Sequence, residues 1–322
     1  MAAPAGSPAD IVEAVVANVA RVVVGKESAT RLALVCVAAG GHLLVEDVPG
    51  VGKTSLAKAL AASFGLEWRR IQFTPDLLPS DVTGTTVYDR RSGRFEFRPG
   101  GVFANVVLGD EINRASPKTQ AALLEAMEEG QVTVDSTTYA LPSPFLVVAT
   151  QNPAEHAGTY PLPESQLDRF LLRLHMGYPD RDAEIEMLAA RRPTAESELS
   201  PVVEPGAVAA LVARADAVTV VPALRGYVVD LAAATRRHPG LALGMSPRAA
   251  LGLLRAAKAL AASSGRDFAT PDDVKAVAAP VLGHRLVLSA DAAVAGAGVD
   301  DVLAEVVRSV PAPVSGAATR RR

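Results

Sequence analysis

Hydrophobic residues follow two patterns along the chain, short continuous runs in the first half and helical spacing in the second. Leu43–Glu46, Val106–Leu108 and Phe145–Ala149 are apolar runs of the length expected for strands that are buried on both faces. Helical segments alternate with these runs as far as Tyr178. This alternation predicts an α/β fold in which a parallel sheet is covered by helices.

The clearest helix in the sequence is Pro117–Glu129. Ser116 is suited to cap its first turn, and Leu123 and Met127 share one face. Gly130 is placed to end the helix, because glycine adopts the left-handed conformation that commonly follows a last helical turn.

Two antiparallel hairpins are predicted as insertions into the alternating fold, at about 85–98 and at about 131–142. In the first hairpin, Gly93 joins two segments of strand character. We expect its arginines to keep an exposed hairpin soluble, and contact with a partner is the alternative. These arginines are Arg90, Arg91, Arg94 and Arg98.

The pattern changes after Pro179 to charged, alanine-rich helical segments, and Arg192–Glu204 has the composition of a linker. We therefore predict an α/β core at 1–178, a linker and a helical domain at 179–310, and a disordered tail at 311–322. The helices predicted for the second domain are Leu224–Arg237, Arg248–Ala262 and Pro271–Val281.

Composition narrows the class of protein. The chain has 322 residues, 49% of them hydrophobic, with 32 Lys+Arg against 35 Asp+Glu and a net charge of −3. Such balanced charge argues against a protein whose main task is to coat nucleic acid. No secretory leader or membrane-spanning run is evident, so we expect a cytoplasmic protein. The single cysteine, Cys36, lies in an apolar run and is expected to be a buried structural thiol.

The segment Leu43–Ser55 has the pattern of an apolar strand, a glycine-containing turn and the start of a helix. Such a turn lets backbone N–H groups surround phosphates, while Lys53 offers a charge to the β- and γ-phosphate oxygens and Thr54 offers a hydroxyl to Mg²⁺. Asp47 stands where the strict motif has its first glycine. The residues expected to bind the nucleotide are Pro49, Gly50, Val51, Gly52, Lys53, Thr54 and Ser55.

Two adjacent carboxylates follow the strand Val106–Leu108. Asp110 is suited to hold Mg²⁺ through its water shell, and Glu111 is suited to orient and polarise a water for attack on the γ-phosphorus. Asn152 follows the next apolar strand, and at the same edge of the sheet its amide could help to hold that water. Taken alone, Asn-Pro is a common turn signal.

These motifs resemble the AAA+ superfamily and, more narrowly, the MoxR family of ATPases. The resemblance implies a P-loop NTPase fold with a three-layer αβα core, an all-α lid domain, and ATP with Mg²⁺ as the bound group. The stretches Phe73–Gly84 and Asp110–Glu129 are specific to the family, whereas many NTPases share the phosphate loop. The segments that carry the resemblance are Val23–Gly25, Asp47–Thr54, Phe73–Gly84, Asp110–Ala115, Tyr160–Glu164 and Leu167–Phe170.

The resemblance also implies roles for individual residues. Val24 and Gly25 are expected to pack near adenine, and Asn152 resembles the first sensor of the family. Arg169 is similar to the arginine finger that reaches the ATP of a neighbouring subunit, and Arg248 resembles the second sensor, which contacts the γ-phosphate.

Each of these arginines also has a plainer explanation. Arg169 could form a surface salt bridge, and Arg248 could be an ordinary residue of a helix start after Ser246 and Pro247. Arg173 is a weaker candidate for the finger.

By the same resemblance, the chain is expected to form a homo-oligomeric ring, a hexamer, that hydrolyses ATP to drive chaperone-like remodelling or maturation of partner proteins. A partner with a von Willebrand factor A domain is implied. Two alternatives stay open: the motor subunit of a metal chelatase-like complex, and a DNA-remodelling ATPase. Stimulation of the ATPase by a metal-binding partner would favour the first, and DNA-stimulated hydrolysis the second.

Overall fold

The computed structural model describes residues 6–152, 158–189 and 198–313. The chain divides into two compact units, Met1–Ala213 and Arg214–Arg322, so this division falls later than the domain boundary predicted at 178. Part of the predicted linker, 192–197, and most of the predicted tail, 314–322, lie outside the described residues.

Helices and strands alternate in the first unit and helices dominate the second. The helices are α1 (Pro8–Ala20), α2 (Glu27–Ala38), α3 (Lys53–Phe64), α4 (Pro79–Thr83), α5 (Pro117–Glu129), α6 (Glu164–Leu167), α7 (Arg181–Ala189), α8 (Ala207–Asp216), α9 (Pro222–Arg237), α10 (Pro247–Ser263), α11 (Pro271–Leu282), α12 (Ala290–Val294) and α13 (Val299–Ser309). The strands are β1 (Leu43–Glu46), β2 (Trp68–Gln72), β3 (Gly84–Asp89), β4 (Arg94–Pro99), β5 (Val106–Asp110), β6 (Gln131–Val134), β7 (Thr137–Ala140), β8 (Leu146–Gln151), β9 (Leu172–Leu174), β10 (Leu241–Leu243) and β11 (Val287–Leu288).

A five-stranded parallel sheet in the order β2-β5-β8-β1-β9 forms the centre of the first unit. The predicted parallel α/β architecture is therefore confirmed. The three apolar strands found in the sequence lie in the middle of this sheet, where both faces are covered. Because parallel strands end at one edge, the residues that follow β1, β5 and β8 lie near one another.

Helix α5 begins and ends at the predicted residues. The Ser116 hydroxyl accepts the backbone N–H of Thr119, and Gly130 has the left-handed φ of 62° that ends the helix. Leu123 and Leu124 are fully buried in a core that includes Phe73 of the segment after β2. The same core includes Val107 of β5 and Val147 of β8, so α5 packs against the central sheet.

Two antiparallel hairpins, β3–β4 and β6–β7, stand apart from the central sheet. Gly93 has a φ of 65° at the turn between β3 and β4. Tyr88 and Phe95 on this hairpin are exposed and pack together, with their ring centroids 5.2 Å apart.

The second unit packs α10 against α11, with α9 and α13 beside them. It also contains a short antiparallel pair, β10 and β11, in addition to the helices predicted from the sequence. Helix α11 begins with a capping box between Thr270 and Asp273. In the part of the chain that the structure describes, no helix is long and apolar enough to span a membrane.

Candidate active site

A cavity of about 340 Å³ opens where β1, β5 and β8 end. Each of these strands is followed by part of its lining, so the sheet brings together segments that are distant in sequence. The residues that line the cavity are Pro49, Gly50, Gly52, Lys53, Thr54, Ser55, Asp110, Glu111 and Asn152.

The phosphate loop forms the turn between β1 and α3. Gly50 and Gly52 have φ angles of 85° and 92°, which a residue with a side chain adopts only with strain. Gly52 is the N-cap of α3, so the loop places the positive end of a helix at the cavity. The Lys53 ammonium donates to the backbone carbonyl of Asp47 at 2.8 Å.

Asp110 ends β5 with its carboxylate held on both oxygens. The Thr150 hydroxyl donates to Oδ1 at 2.6 Å, and Arg70 donates to Oδ2 through Nη2 at 2.5 Å and through Nε at 3.1 Å. Arg70 reaches this position because β2 pairs with β5 in parallel register, which sets Gln72 beside Asp110. These contacts fix the orientation of the carboxylate toward the cavity.

Glu111 has a left-handed backbone, with φ 56° and ψ 50°, which is uncommon for a residue other than glycine. Its N–H donates to the Thr150 hydroxyl at 2.9 Å. Its carboxylate accepts from Gln72 at 2.9 Å and from Arg114 at 3.1 Å. The strained turn therefore directs neighbouring carboxylates to different partners.

The donor set fits a magnesium ion bound together with a nucleotide. Mg²⁺ is usually held by one or two protein oxygens and completed by waters and substrate phosphates. Thr54 and Asp110 line the same cavity and supply a hydroxyl and a carboxylate. Among the described residues there is no cluster of three or more His, Cys, Asp or Glu that could hold a metal by itself.

Comparisons with known proteins agree with this geometry. The family described as "ATPase family associated with various cellular activities (AAA)" matches residues 42–172, and the AAA lid domain matches residues 233–306. The Bacillus subtilis protein YeaC is 49% identical over 86% of this chain and 87% of its own length. Chaperone MoxR1 of Mycobacterium tuberculosis is 43% identical over 87% of this chain and 76% of its own.

The chain belongs to the MoxR family of AAA+ ATPases. The crystal structure of a protein from Cytophaga hutchinsonii has the same fold, with a TM-score of 0.87 at 39% identity over 95% of this chain and 96% of that one. The predicted family, the ATPase activity and a chaperone-like role are confirmed at this level.

Of the two residues expected near adenine, Gly25 lies at a second cavity of this MoxR-type ATPase, and Val24 is not among the residues that line it. Gly25, with a φ of 71°, lines a cavity of about 360 Å³ together with Lys26, His175 and Met176. The neighbouring Val24 is half-buried. In the phosphate loop, Val51 is buried.

The two finger candidates form ion pairs within their own chain. Arg169 follows α6 and lies 3.1 Å from a carboxylate oxygen of Glu128, whereas Arg173 on β9 lies 3.3 Å from Glu46. Neither arginine is among the residues that line the 340 Å³ cavity. Arg248 belongs to the second unit, where it is exposed in the first turn of α10 after the Ser246 cap.

The sequence alone predicts no role for four residues that contact the paired acids, namely Thr150, Arg70, Gln72 and Arg114. A signal was present for Thr150, which lies in the run that ends at Asn152. For Arg70 and Gln72 the signal is their spacing of two on one strand, and its meaning depends on which strand pairs with β2.

Proposed function

We propose that ATP binds in the cavity between the phosphate loop and the pair Asp110–Glu111, and that its hydrolysis there drives remodelling of partner proteins. The observation that carries the proposal is the meeting of three segments, distant in sequence, at one cavity. One segment supplies backbone N–H groups and a lysine, another two carboxylates, and the third an amide. This combination suits phosphoryl transfer to water.

The first step that these residues support is binding of the triphosphate. N–H groups of the loop and the N-terminus of α3 favour the phosphate oxygens, and Lys53 would exchange its bond to the Asp47 carbonyl for one to phosphate. Thr54 and Asp110 would hold Mg²⁺. When bound, that ion neutralises negative charge on the phosphates.

The second step is activation of water. The Glu111 carboxylate lines the cavity and is suited to orient a water in line with the γ-phosphorus and to take its proton. The Asn152 amide is buried at the same cavity and would hold the water or a γ-phosphate oxygen. Thr150 would keep both acids in place, because its hydroxyl bonds Asp110 and the backbone of Glu111.

We further propose that the chain works as a ring, a hexamer, in which Arg169 completes the site of the neighbouring subunit. Among the described residues that line the cavity, Lys53 is the one cation. Phosphoryl transfer gains about 10³–10⁵-fold from an arginine supplied to the transition state. AAA+ ATPases commonly form rings. Arg248 of the second unit is proposed as the sensor that reaches the γ-phosphate from the lid.

Mixed rings test the shared site. Arg169→Ala and Lys53→Ala subunits should each be inactive alone, and a mixture should regain activity, because one supplies the cradle and the other the arginine. With random mixing, about a quarter of the interfaces are complete. Arg173→Ala subunits mixed with Lys53→Ala subunits are the control. ATPase activity that stays at the level of the separate variants at every mixing ratio would contradict a trans arginine.

The proposed partner is a protein with a von Willebrand factor A domain. The support is family membership, and the named relative MoxR1 is a chaperone. Co-purification should be strong with Glu111→Gln protein, which retains ATP, and weak with Lys53→Ala protein, which does not bind it. Equal recovery of the partner with both variants would show that binding does not depend on the nucleotide.

A further inference from the structure

Asp47 replaces the first glycine of the strict phosphate-loop motif, and its carboxylate is fully engaged. Oδ1 accepts the N–H of Val48 at 2.9 Å. Oδ2 accepts the N–H groups of Met176 and Gly177, each at 2.6 Å. A glycine at this position could make none of these three bonds, so the departure from the motif adds a connection that the loop otherwise lacks.

The segment that Asp47 holds, residues 175–178, lies between β9 and α7. A second side chain, of opposite charge, binds the carbonyl groups of this segment. The buried Lys26 ammonium donates to the backbone carbonyl oxygens of Met176 and Tyr178 at 2.7 and 2.6 Å. The His175 ring bonds the Glu46 carbonyl at 2.7 Å. The segment is therefore fixed on its N–H groups, its carbonyl groups and one side chain.

This segment lines one of the two cavities described above and is hydrogen-bonded to the loop that lines the other. His175 and Met176 line the cavity that contains Gly25, and the residues of the phosphate loop line the other. The ribose joins the base and the phosphates of one nucleotide and limits how far apart they can lie. Both cavities can serve the same nucleotide only if the loop and the segment keep their relative position.

We propose that Asp47 is a positioning residue that ties the phosphate loop to segment 175–178 and so aligns the base cavity with the phosphate cavity. The inference rests on the function proposed above for the phosphate loop. Short hydrogen bonds to a carboxylate are about twice as strong as neutral ones. Removing the carboxylate therefore frees the N–H groups of Met176 and Gly177, loosens the segment that Lys26 and His175 still hold, and leaves the side chains of Lys53, Asp110 and Glu111 in place.

The test uses the full chain and two readouts, the affinity for fluorescent mant-ADP with Mg²⁺ and amide hydrogen exchange of a peptide that covers Met176 and Gly177. In Asp47→Gly we expect exchange of these amides to be about 10-fold faster or more. The dissociation constant for mant-ADP should rise about 10-fold or more, with kcat at saturating ATP within about 3-fold of wild type. Asp47→Asn keeps one carbonyl oxygen, so its exchange rate and its dissociation constant should lie between those of the wild type and of Asp47→Gly.

The matched control is Asp89→Gly. Asp89 also accepts backbone N–H groups, those of Arg91 and Ser92, but on the β3–β4 hairpin. It should leave both readouts unchanged. If Asp47→Gly does not fold, Asp47→Asn carries the same test.

Unchanged exchange at Met176 and Gly177, or unchanged mant-ADP affinity, would overturn the positioning role. So would a fall in kcat at unchanged affinity. The proposed function has its own check in the same assay, since Lys53→Ala should abolish mant-ADP binding. Normal binding by that variant would remove the function assigned to the loop, whatever Asp47 does.

Discussion

The Thr150 hydroxyl lies between the two acids of the candidate site. It donates to Asp110 at 2.6 Å and accepts from the N–H of Glu111 at 2.9 Å, and the residue is fully buried. The Thr150 side chain thus fixes the carboxylate of Asp110, which is proposed to hold Mg²⁺, and the strained backbone of Glu111, which is proposed to orient the water.

Thr150→Val removes the hydroxyl at nearly constant volume. We expect the ATPase rate to fall about 10–100-fold, the usual effect of losing the support of a metal-binding carboxylate. We also expect about 1–3 kcal/mol of destabilisation, because a partly buried carboxylate oxygen and a partly buried N–H lose their partner. Thr150→Ser is the control and should keep most of the activity. Steady-state kinetics with thermal unfolding measures both effects, and full activity in Thr150→Val would exclude the support role.

The sequence identifies residues whose chemistry is local and misses those whose role depends on pairing. The phosphate loop follows from its order of residues, because strand, glycine turn and helix start lie within one segment. The contact between Arg70 and Asp110 crosses two strands and depends on their register. The hydrogen bond between Asp47 and Met176 forms because β9 lies next to β1 in the sheet. No spacing along the chain contains this information.

At the scale of elements, helix α11 is held by a cap and an ion pair that share one carboxylate. Asp273 accepts from the backbone N–H and hydroxyl of Thr270 and forms two bonds with Arg266, at 2.5 and 2.7 Å. Burial raises the pKa of Asp273, but the hydrogen bonds from Arg266 and Thr270 outweigh it and hold the pKa below its usual value. Folding therefore favours the ionised form.

This pair gives α11 a stability that depends on pH. Because the pKa is lowered in the folded state, the stabilisation is complete at neutral pH. It declines once the pH falls below the ordinary aspartate value of about 3.9 and is lost through the lowered pKa. Asp273→Asn should cost about 1–2 kcal/mol at pH 7, since Arg266 is partly exposed. Hydrogen exchange of α11 in both proteins measures this, and an equal difference at pH 3 and pH 7 would contradict it.

Element prediction succeeds where burial produces a clear pattern. Strands β1, β5 and β8 are buried on both faces and appear as apolar runs, and α5 carries its own cap and end. Strand β2 lies at the edge of the sheet, and three of its five residues are exposed, so its sequence Trp-Arg-Arg-Ile-Gln lacks such a run. The strands β10 and β11 are too short to show an alternation of hydrophobic and polar residues.

At the scale of the whole molecule, each of the two units contains some of the residues proposed for ATP hydrolysis. The first contains the cavity and Arg169, and the second contains Arg248. Hydrolysis is proposed to be complete only when groups from separate places meet. Composition and charge predict a globular chain of two domains. They do not predict the activity, because it depends on the positions of a few side chains at one edge of the sheet.

ATP is proposed to be hydrolysed at this cavity, with Glu111 directing the attacking water. Glu111→Gln keeps the size and polarity of the side chain but loses the base. We expect mant-ATP affinity within about 3-fold of wild type and turnover lowered at least about 100-fold, the usual contribution of a general base. Glu125→Gln, an exposed change on α5, is the control and should leave both unchanged. Parallel binding and phosphate-release assays give both values, and a Glu111→Gln protein that turns over ATP at the wild-type rate would contradict the account.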